Sequence, residues 1–286
     1  MIFRKTAILG VGLLGGSLAL AMREKGLTAE ISGFGRSAEN LEQARAKGII
    51  DSCHPGDPAG AAAGADLVVF ATGVSAFGQI ARAIKGSLKA GSIQTDVGSL
   101  KGGLVYELEE MLPRFVGCHP IAGGERSGVG AATGRLFEGS KCIIARTGKS
   151  DPKAVEALEG LWRAVGCRTM FMDPLFHDEV YALVSHLPHL VAYALVNTVG
   201  EADGDLIDFA GKGFRDSTRI AMSAPEIWRD ICRMNGKNIL RFADAFKKQL
   251  ERLEDLIGGP EDAEALEREF DSARRLRRRL ENEDNQ

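Results

Sequence analysis

Apolar and polar positions along the chain follow two rhythms. In the first part, short apolar and β-branched runs at residues 4–9, 30–34, 67–71, 92–96, 114–118, 141–145 and 168–172 read as strands. A helix-like segment follows the first run and ends near Gly26, another spans residues 38–47, and further ones separate most of the later strands. This alternation predicts an α/β domain with a doubly wound, mostly parallel sheet covered on both faces. After about Pro174 the glycine-bounded runs give way to long stretches with apolar residues at helical spacing, such as residues 227–257. The expected organisation is therefore an α/β domain over residues 1–173 and an all-helical domain over residues 174–286. In the last stretch Leu266, Phe270, Ala273, Leu276 and Leu280 fall on one stripe and predict a terminal helix. Its five arginines between Arg274 and Arg279 have acids on both sides and read as a solvated face rather than an RNA contact.

Composition changes this picture little. With 286 residues, 44% apolar and 26% charged, the chain reads as globular, and a net charge of −3 gives no reason to expect nucleic acid or an acidic membrane as partner. The five cysteines are widely spaced with no C-x-x-C pair and read as reduced thiols of a cytoplasmic protein. No signal-peptide pattern opens the chain, and no uninterrupted apolar run approaches the ~18 residues of a membrane span.

Gly10, Gly12 and Gly15 form G-x-G-x-x-G between the first strand and the first helix, with Leu13 and Leu14 opening that helix. The pattern fits a dinucleotide: a tight turn, close backbone approach to a pyrophosphate, and close helix–strand packing, with the anion on the helix N-terminus. An acid that grips the ribose of NAD is expected at the end of the second strand, and Gly35, Arg36 and Ser37 stand there instead. Without a carboxylate, and with a guanidinium and a hydroxyl, the trio suits a 2′-phosphate and predicts NADP over NAD. The alternative leaves Arg36 stacked on adenine or in solvent. Ligands of open parallel sheets bind outside the carboxyl ends of strands, which brings Ser99 in "TDVGSLK" and His119 in "GCHPIAGGERSG" to the nicotinamide and its substrate. His119 can take a proton from a substrate hydroxyl, or it can be a satisfied structural histidine; spacing alone leaves both open. His186 and His189 lack the glutamate of H-E-x-x-H, and Pro188 is expected to interrupt their helix, so no metal site is read there. His54 and His177 are read as structural.

The combination of "ILGVGLLGGSLA", "TDVGSLK", "GCHPIAGGERSG", "HDEVYALVSHLPHLVAYAL" and "GFRDSTRIAMSAPEIWRDI", running in order from about Thr6 to Leu256, resembles the prephenate and arogenate (cyclohexadienyl) dehydrogenases of tyrosine biosynthesis. The resemblance implies a Rossmann domain followed by a helical domain that forms a homodimer. It also implies oxidative decarboxylation of prephenate to 4-hydroxyphenylpyruvate or of arogenate to tyrosine. By motif, His119 becomes the acceptor of the ring-hydroxyl proton and Ser99 its partner beside the nicotinamide. His189 and Trp228 become substrate contacts, and Arg219 the anchor of a substrate carboxylate. Glu125 is a candidate to attract the ammonium of arogenate, which leans the expected substrate slightly that way. Gly73 in "ATGV", where relatives more often have proline, and Gly124, where many carry a hydroxyl residue, depart from the family pattern; the first leaves Thr72 as the expected cofactor contact on a less rigid loop. No room is expected for a fused chorismate mutase or an ACT-type domain, so feedback by tyrosine is expected to act at the active site. The competing readings are an NAD-using prephenate dehydrogenase, a β-hydroxyacid dehydrogenase or pyrroline carboxylate reductase, and a nucleotide sensor without catalysis.

Overall fold

A computed structural model describes residues 3–124, 128–259 and 263–283. Eight strands form one sheet in the order β3-β2-β1-β4-β5-β6-β7-β8. They are β1 (Phe3–Leu9), β2 (Thr28–Gly35), β3 (Ser52–Pro55), β4 (Leu67–Phe70), β5 (Ile93–Asp96), β6 (Phe115–Pro120), β7 (Lys141–Ala145) and β8 (Arg168–Met172). Helices α1 (Leu13–Glu24), α2 (Ala38–Ala46), α3 (Pro58–Ala62), α4 (Phe77–Ile84), α5 (Gly102–Met111) and α6 (Pro152–Ala164) join them. The central strands are apolar because both faces are covered: Leu67, Val68, Val69 and Phe70 of β4 are all fully buried. Leu18 and Met22 of α1 pack with Ile8, Ile31 and Leu41, each such burial contributing roughly 1.5–3 kcal/mol.

Two features of the sheet go beyond the sequence reading. The four-residue edge strand β3, "SCHP", was not anticipated, since it is short and ends in proline, which an edge tolerates. Strand β7 runs antiparallel to β6, with His119 opposite Ile143. Among the described residues between β6 and β7 there is no crossover helix, only a 3₁₀ turn at Val129–Ala131, and the chain returns in the opposite direction. The remaining pairings are parallel, and the order reverses between β1 and β4, which opens a crevice at their carboxyl ends.

Beyond β8 the chain is helical: α7 (Pro174–Tyr181), α8 (Leu187–Ala202), α9 (Lys212–Thr218), α10 (Pro225–Met234), α11 (Gly236–Gly258) and α12 (Ala263–Glu283). Helices α7 and α8 are continuous through a π-turn at Ala182–His186. Pro188 therefore does not interrupt the helix; the widened turn accommodates the carbonyl that proline cannot serve. By length and composition this helix, Pro174–Ala202, is long and apolar enough to cross a membrane, although polar residues break every apolar run within it. The expectation from uninterrupted runs missed it for that reason.

By its internal contacts the chain forms two compact units, Met1–Gly236 and Lys237–Gln286. Within the second, an Arg252–Glu269 ion pair joins α11 to α12. The arginine-rich stretch of α12 is tied along its own helix by Arg274 and Arg275 to Asp271 and by Arg277 to Glu281, as a solvated face is. Phe270, Leu276 and Leu280 of its apolar stripe remain more than half exposed.

Candidate active site

The glycine turn meets each requirement of a phosphate cradle. Gly10 has φ +117°, and a Cβ there would lie 2.5 Å from the Ala71 carbonyl carbon, so only glycine lets the loop after β4 approach. A Cβ on Gly15 would lie 2.2 Å from the Gly10 carbonyl oxygen, which fixes how closely α1 packs on β1. At Gly12 nothing lies within 4 Å, leaving open space in front of the α1 N-terminus, whose first turn carries no acid. These residues fit the pyrophosphate of a nicotinamide dinucleotide. Leu13 faces an adjoining cleft, whereas Leu14 packs against the core. Thr72 follows the Ala71 contact, its hydroxyl donating to the Gly73 carbonyl at 3.3 Å.

Gly35 ends β2 and Arg36 is exposed beside it. Ser37 has a task the sequence reading did not assign: it is the N-cap of α2, its Oγ accepting from the Asn40 N–H at 3.1 Å. Glu39 lies in the first turn of the same helix, and Asn40 donates to the Val11 carbonyl at 2.9 Å, tying α2 to the glycine turn.

Ser99 lies half-buried in a loop shaped by a buried ion pair. Lys101, fully buried, places its ammonium 2.5 Å from Asp96 and donates also to the carbonyls of Gly98 and Leu100, both at 2.9 Å. Asp96 in turn accepts the N–H groups of Gly98 and Cys118. Three ammonium protons thus meet three acceptors, and two of these acceptors flank Ser99.

His119, half-buried near the end of β6, faces α7. Its Nδ1 lies 2.8 Å from Nε2 of His177, whose Nδ1 lies 2.8 Å from Oδ1 of Asp178. The Tyr181 ring packs on both histidines, with centroids at 4.9 and 4.4 Å. Burial, and then the neighbouring His177, Lys101 and His186, hold His119 well below the usual imidazole range, so it is neutral at pH 7. His177 reads as structural from the sequence; α7, which follows β8, brings it to His119, and the signals for it are the "HD" at 177 that recurs in the family pattern and the spacing of His177, Asp178 and Tyr181 on α7.

Farther along the same helix, His186 accepts from the Asn235 side-chain amide at 3.2 Å and packs edge-on to Trp228. His189 donates from Nδ1 to the Ser185 carbonyl at 2.9 Å, which leaves Nε2 as an acceptor, and its ring stacks on Trp228 with centroids 3.6 Å apart. Burial, and to a lesser degree the Arg219 guanidinium, lower its pKa. Arg219 stands with Leu13 and Gly124 on the wall of a cleft of about 730 Å³. A Cβ at Gly124 would meet Leu13 at 3.8 Å, an ordinary contact, so a Cβ fits there without a clash. Glu125 lies outside the described residues. Leu13, Gly124 and Arg219 thus share one cleft, whereas His119, His189 and Trp228 belong to the row of histidines and aromatic rings, and Ser99 to the Lys101 loop. Among the described residues no group of three or more His, Cys, Asp or Glu could hold a metal ion.

Comparison with known proteins gives one answer. Residues 18–171 match the family described as prephenate dehydrogenase, nucleotide-binding domain, and residues 173–272 match prephenate dehydrogenase, dimerization domain. The chain is 34% identical to the prephenate dehydrogenase of Bacillus subtilis over 94% of its own length and 74% of the relative's. It is 32% identical to the cyclohexadienyl dehydrogenase of Zymomonas mobilis, over 96% of both. A crystal structure of the prephenate dehydrogenase of Aquifex aeolicus, in complex with hydroxyphenyl propionate and NAD+, superimposes with a TM-score of 0.92 at 37% identity, covering 98% of this chain and 99% of that one. With a dinucleotide cradle, a neutral histidine at a strand end and two successive domain matches in order, the chain belongs to the prephenate dehydrogenase family, a family of nicotinamide-dependent oxidoreductases.

Proposed function

We propose that the protein oxidatively decarboxylates arogenate to tyrosine and prephenate to 4-hydroxyphenylpyruvate, with NADP as the preferred cofactor. The observation that carries the chemistry is the neutral His119 close to the carboxyl end of β6, on the side of the sheet where the glycine turn opens. Gly10, Gly12, Leu13, Leu14, Gly15 and Thr72 hold the dinucleotide, which when bound accepts a hydride from the hydroxyl-bearing ring carbon. Nε2 of His119 takes the hydroxyl proton as the hydride leaves and returns it to the ring oxygen as carbon dioxide departs and the ring becomes aromatic; the gain in aromaticity drives the step, so the protein has to orient, move this proton and bind. Ser99 supports His119 and the nicotinamide. Arg219 offers a forked, permanently charged site for one substrate carboxylate. His189, steadied by Trp228, offers Nε2 to the substrate, and Glu125 attracts an ammonium if arogenate is bound.

The preference for NADP rests on Gly35, Arg36 and Ser37: the carboxylate that would oppose a phosphate is missing, and a guanidinium is exposed at the rim. Use of NAD is the second reading. The capping bond of Ser37 and the nearby Glu39 favour it, since both weaken a phosphate site. Residues 1–173 form the dinucleotide domain in this reading, and residues 174–286 the helical domain through which a cytoplasmic homodimer assembles. Phe209 and Met222, 86% and 76% exposed, are suited to coverage by a second subunit. Turnover is tested by following reduced-cofactor absorbance with each substrate and each cofactor. No turnover with either substrate overturns the proposed activity. Equal kcat/KM for NAD and NADP, with no loss in Arg36→Ala, overturns the cofactor preference.

A further inference from the structure

Which nitrogen of His119 carries its proton decides whether it can act as a base, and the chain of contacts behind it settles this. Oδ1 of Asp178 accepts the backbone N–H of Lys101 at 2.8 Å. The same oxygen lies 2.8 Å from Nδ1 of His177. A carboxylate oxygen already accepting a hydrogen bond repels a bare nitrogen at that distance, so Nδ1 of His177 carries the proton and donates. Nε2 of His177 is then a bare acceptor, and the 2.8 Å contact to His119 requires a proton on Nδ1 of His119. Nε2 of His119 is left bare.

We infer that His177 and Asp178 are positioning residues that fix His119 in its Nδ1–H tautomer and so present Nε2 as the base. The inference rests on the proposed role of His119 and adds what makes that role available. A proton arriving at Nε2 makes His119 an imidazolium, whose Nδ1–H strengthens its bond to His177, and the Asp178 carboxylate stands next in line to offset the charge.

The fold holds Asp178 in this task from several sides. Lys101 is the N-cap of α5 but caps it with no side-chain bond; Asp178 reaches across from α7 and caps the helix instead. That helix end carries a partial positive charge, which attracts the carboxylate. The first residue of α5 is Gly102, where a Cβ would lie 2.4 Å from Oδ2 of Asp178, so the carboxylate occupies space that a side chain would take. The Asn235 amide donates to the Asp178 backbone carbonyl at 2.7 Å. Asp178, Lys101 and His119 are the titratable groups that face His177, and Tyr181, which covers both rings, is pushed up to about 12 by burial and stays neutral.

The test begins with the unaltered protein. Histidine-selective ¹⁵N NMR at pH 7.5 on the apo protein, which has five histidines, distinguishes protonated from bare ring nitrogens, and His119→Asn identifies the His119 pair. The expected spectrum has Nδ1 of His119 protonated and Nε2 bare; the opposite assignment overturns the inference regardless of any activity. Asp178→Ala removes the acceptor that holds the proton on Nδ1 of His177, so neither tautomer is fixed any longer, and lowers kcat at pH 7.5 by about 100-fold with the KM for the cofactor unchanged. Gly102→Ala, which keeps both residues but crowds the carboxylate, shifts the His177 signals and lowers kcat in the same sense. A folded Asp178→Ala enzyme with kcat within threefold of the parent overturns the inference. Near-normal kcat in His119→Asn removes His119 as the base, a failure of the proposed function that the tautomer spectrum reads separately.

Discussion

Replacing Lys101 with methionine keeps the length of the side chain and removes its charge. Lys101 is fully buried, and its ammonium serves the Asp96 carboxylate and the carbonyls of Gly98 and Leu100. In the variant Asp96, 1% exposed, keeps its two backbone N–H donors but loses its counter-charge. Breaking a buried pair by removing one partner costs about 3–5 kcal/mol, most of it from the stranded charge. For a protein of this size that corresponds to a fall in Tm on the order of 10 °C. Thermal and urea unfolding followed by circular dichroism measure it. The double variant Asp96→Asn/Lys101→Met, which strands no charge, is expected to recover at least half of the loss. Because Gly98 and Leu100 flank Ser99, the single variant also loosens the loop that carries the serine, and kcat falls more than KM rises. A Tm within 2 °C of the parent refutes the reasoning, because the pair would then contribute nothing net to the fold.

His119→Asn is expected to lower kcat by about 100-fold or more with cofactor binding intact, whereas Arg219→Ala raises the substrate KM with a smaller effect on kcat; steady-state kinetics separate the two. Stability falls on the acid side. His186, 1% exposed, has its pKa lowered by burial to about 4, so between the ordinary histidine range and pH 4 the unfolded chain binds a proton that the folded one refuses. That difference removes roughly 2–3 kcal/mol on going from pH 7 to pH 4.5, and His119, His177 and His189 act in the same direction. Urea midpoints that stay constant over that window contradict it. Gly73 has φ −58°, within the range that proline imposes, so Gly73→Pro is expected to stabilise by about 0.5–1 kcal/mol in the same unfolding assay.

What could be read in the sequence is what the backbone imposes locally. The glycine turn is an example: the constraints at Gly10 and Gly15 are backbone contacts within a single β-α-β unit, and the motif states them directly. The strands buried on both faces were legible for the same reason. The partners of His119 were not, because His177 and Asp178 come from a helix 58 residues later, and nothing in the local pattern of α7 separates a buried histidine with a function from one without. Ser37 was readable as a hydroxyl near a phosphate and equally as a helix cap, and only the geometry of α2 shows that it caps. Lys101 shows no role in its motif, since a lysine fully buried beside an aspartate becomes visible only once β5, β6 and α5 are packed.

The two tryptophans divide the molecule into separate optical reporters. Trp162 is fully buried in the sheet core, edge-on to Phe137, while Trp228 lies stacked on His189. An imidazole in ring contact quenches indole emission, and more so once protonated. A Trp162→Phe protein therefore carries a single tryptophan, whose emission, excited apart from the tyrosines, follows the ionisation and displacement of His189. Substrate entry and acid titration at that histidine become readable from intrinsic emission, without a label and without turnover.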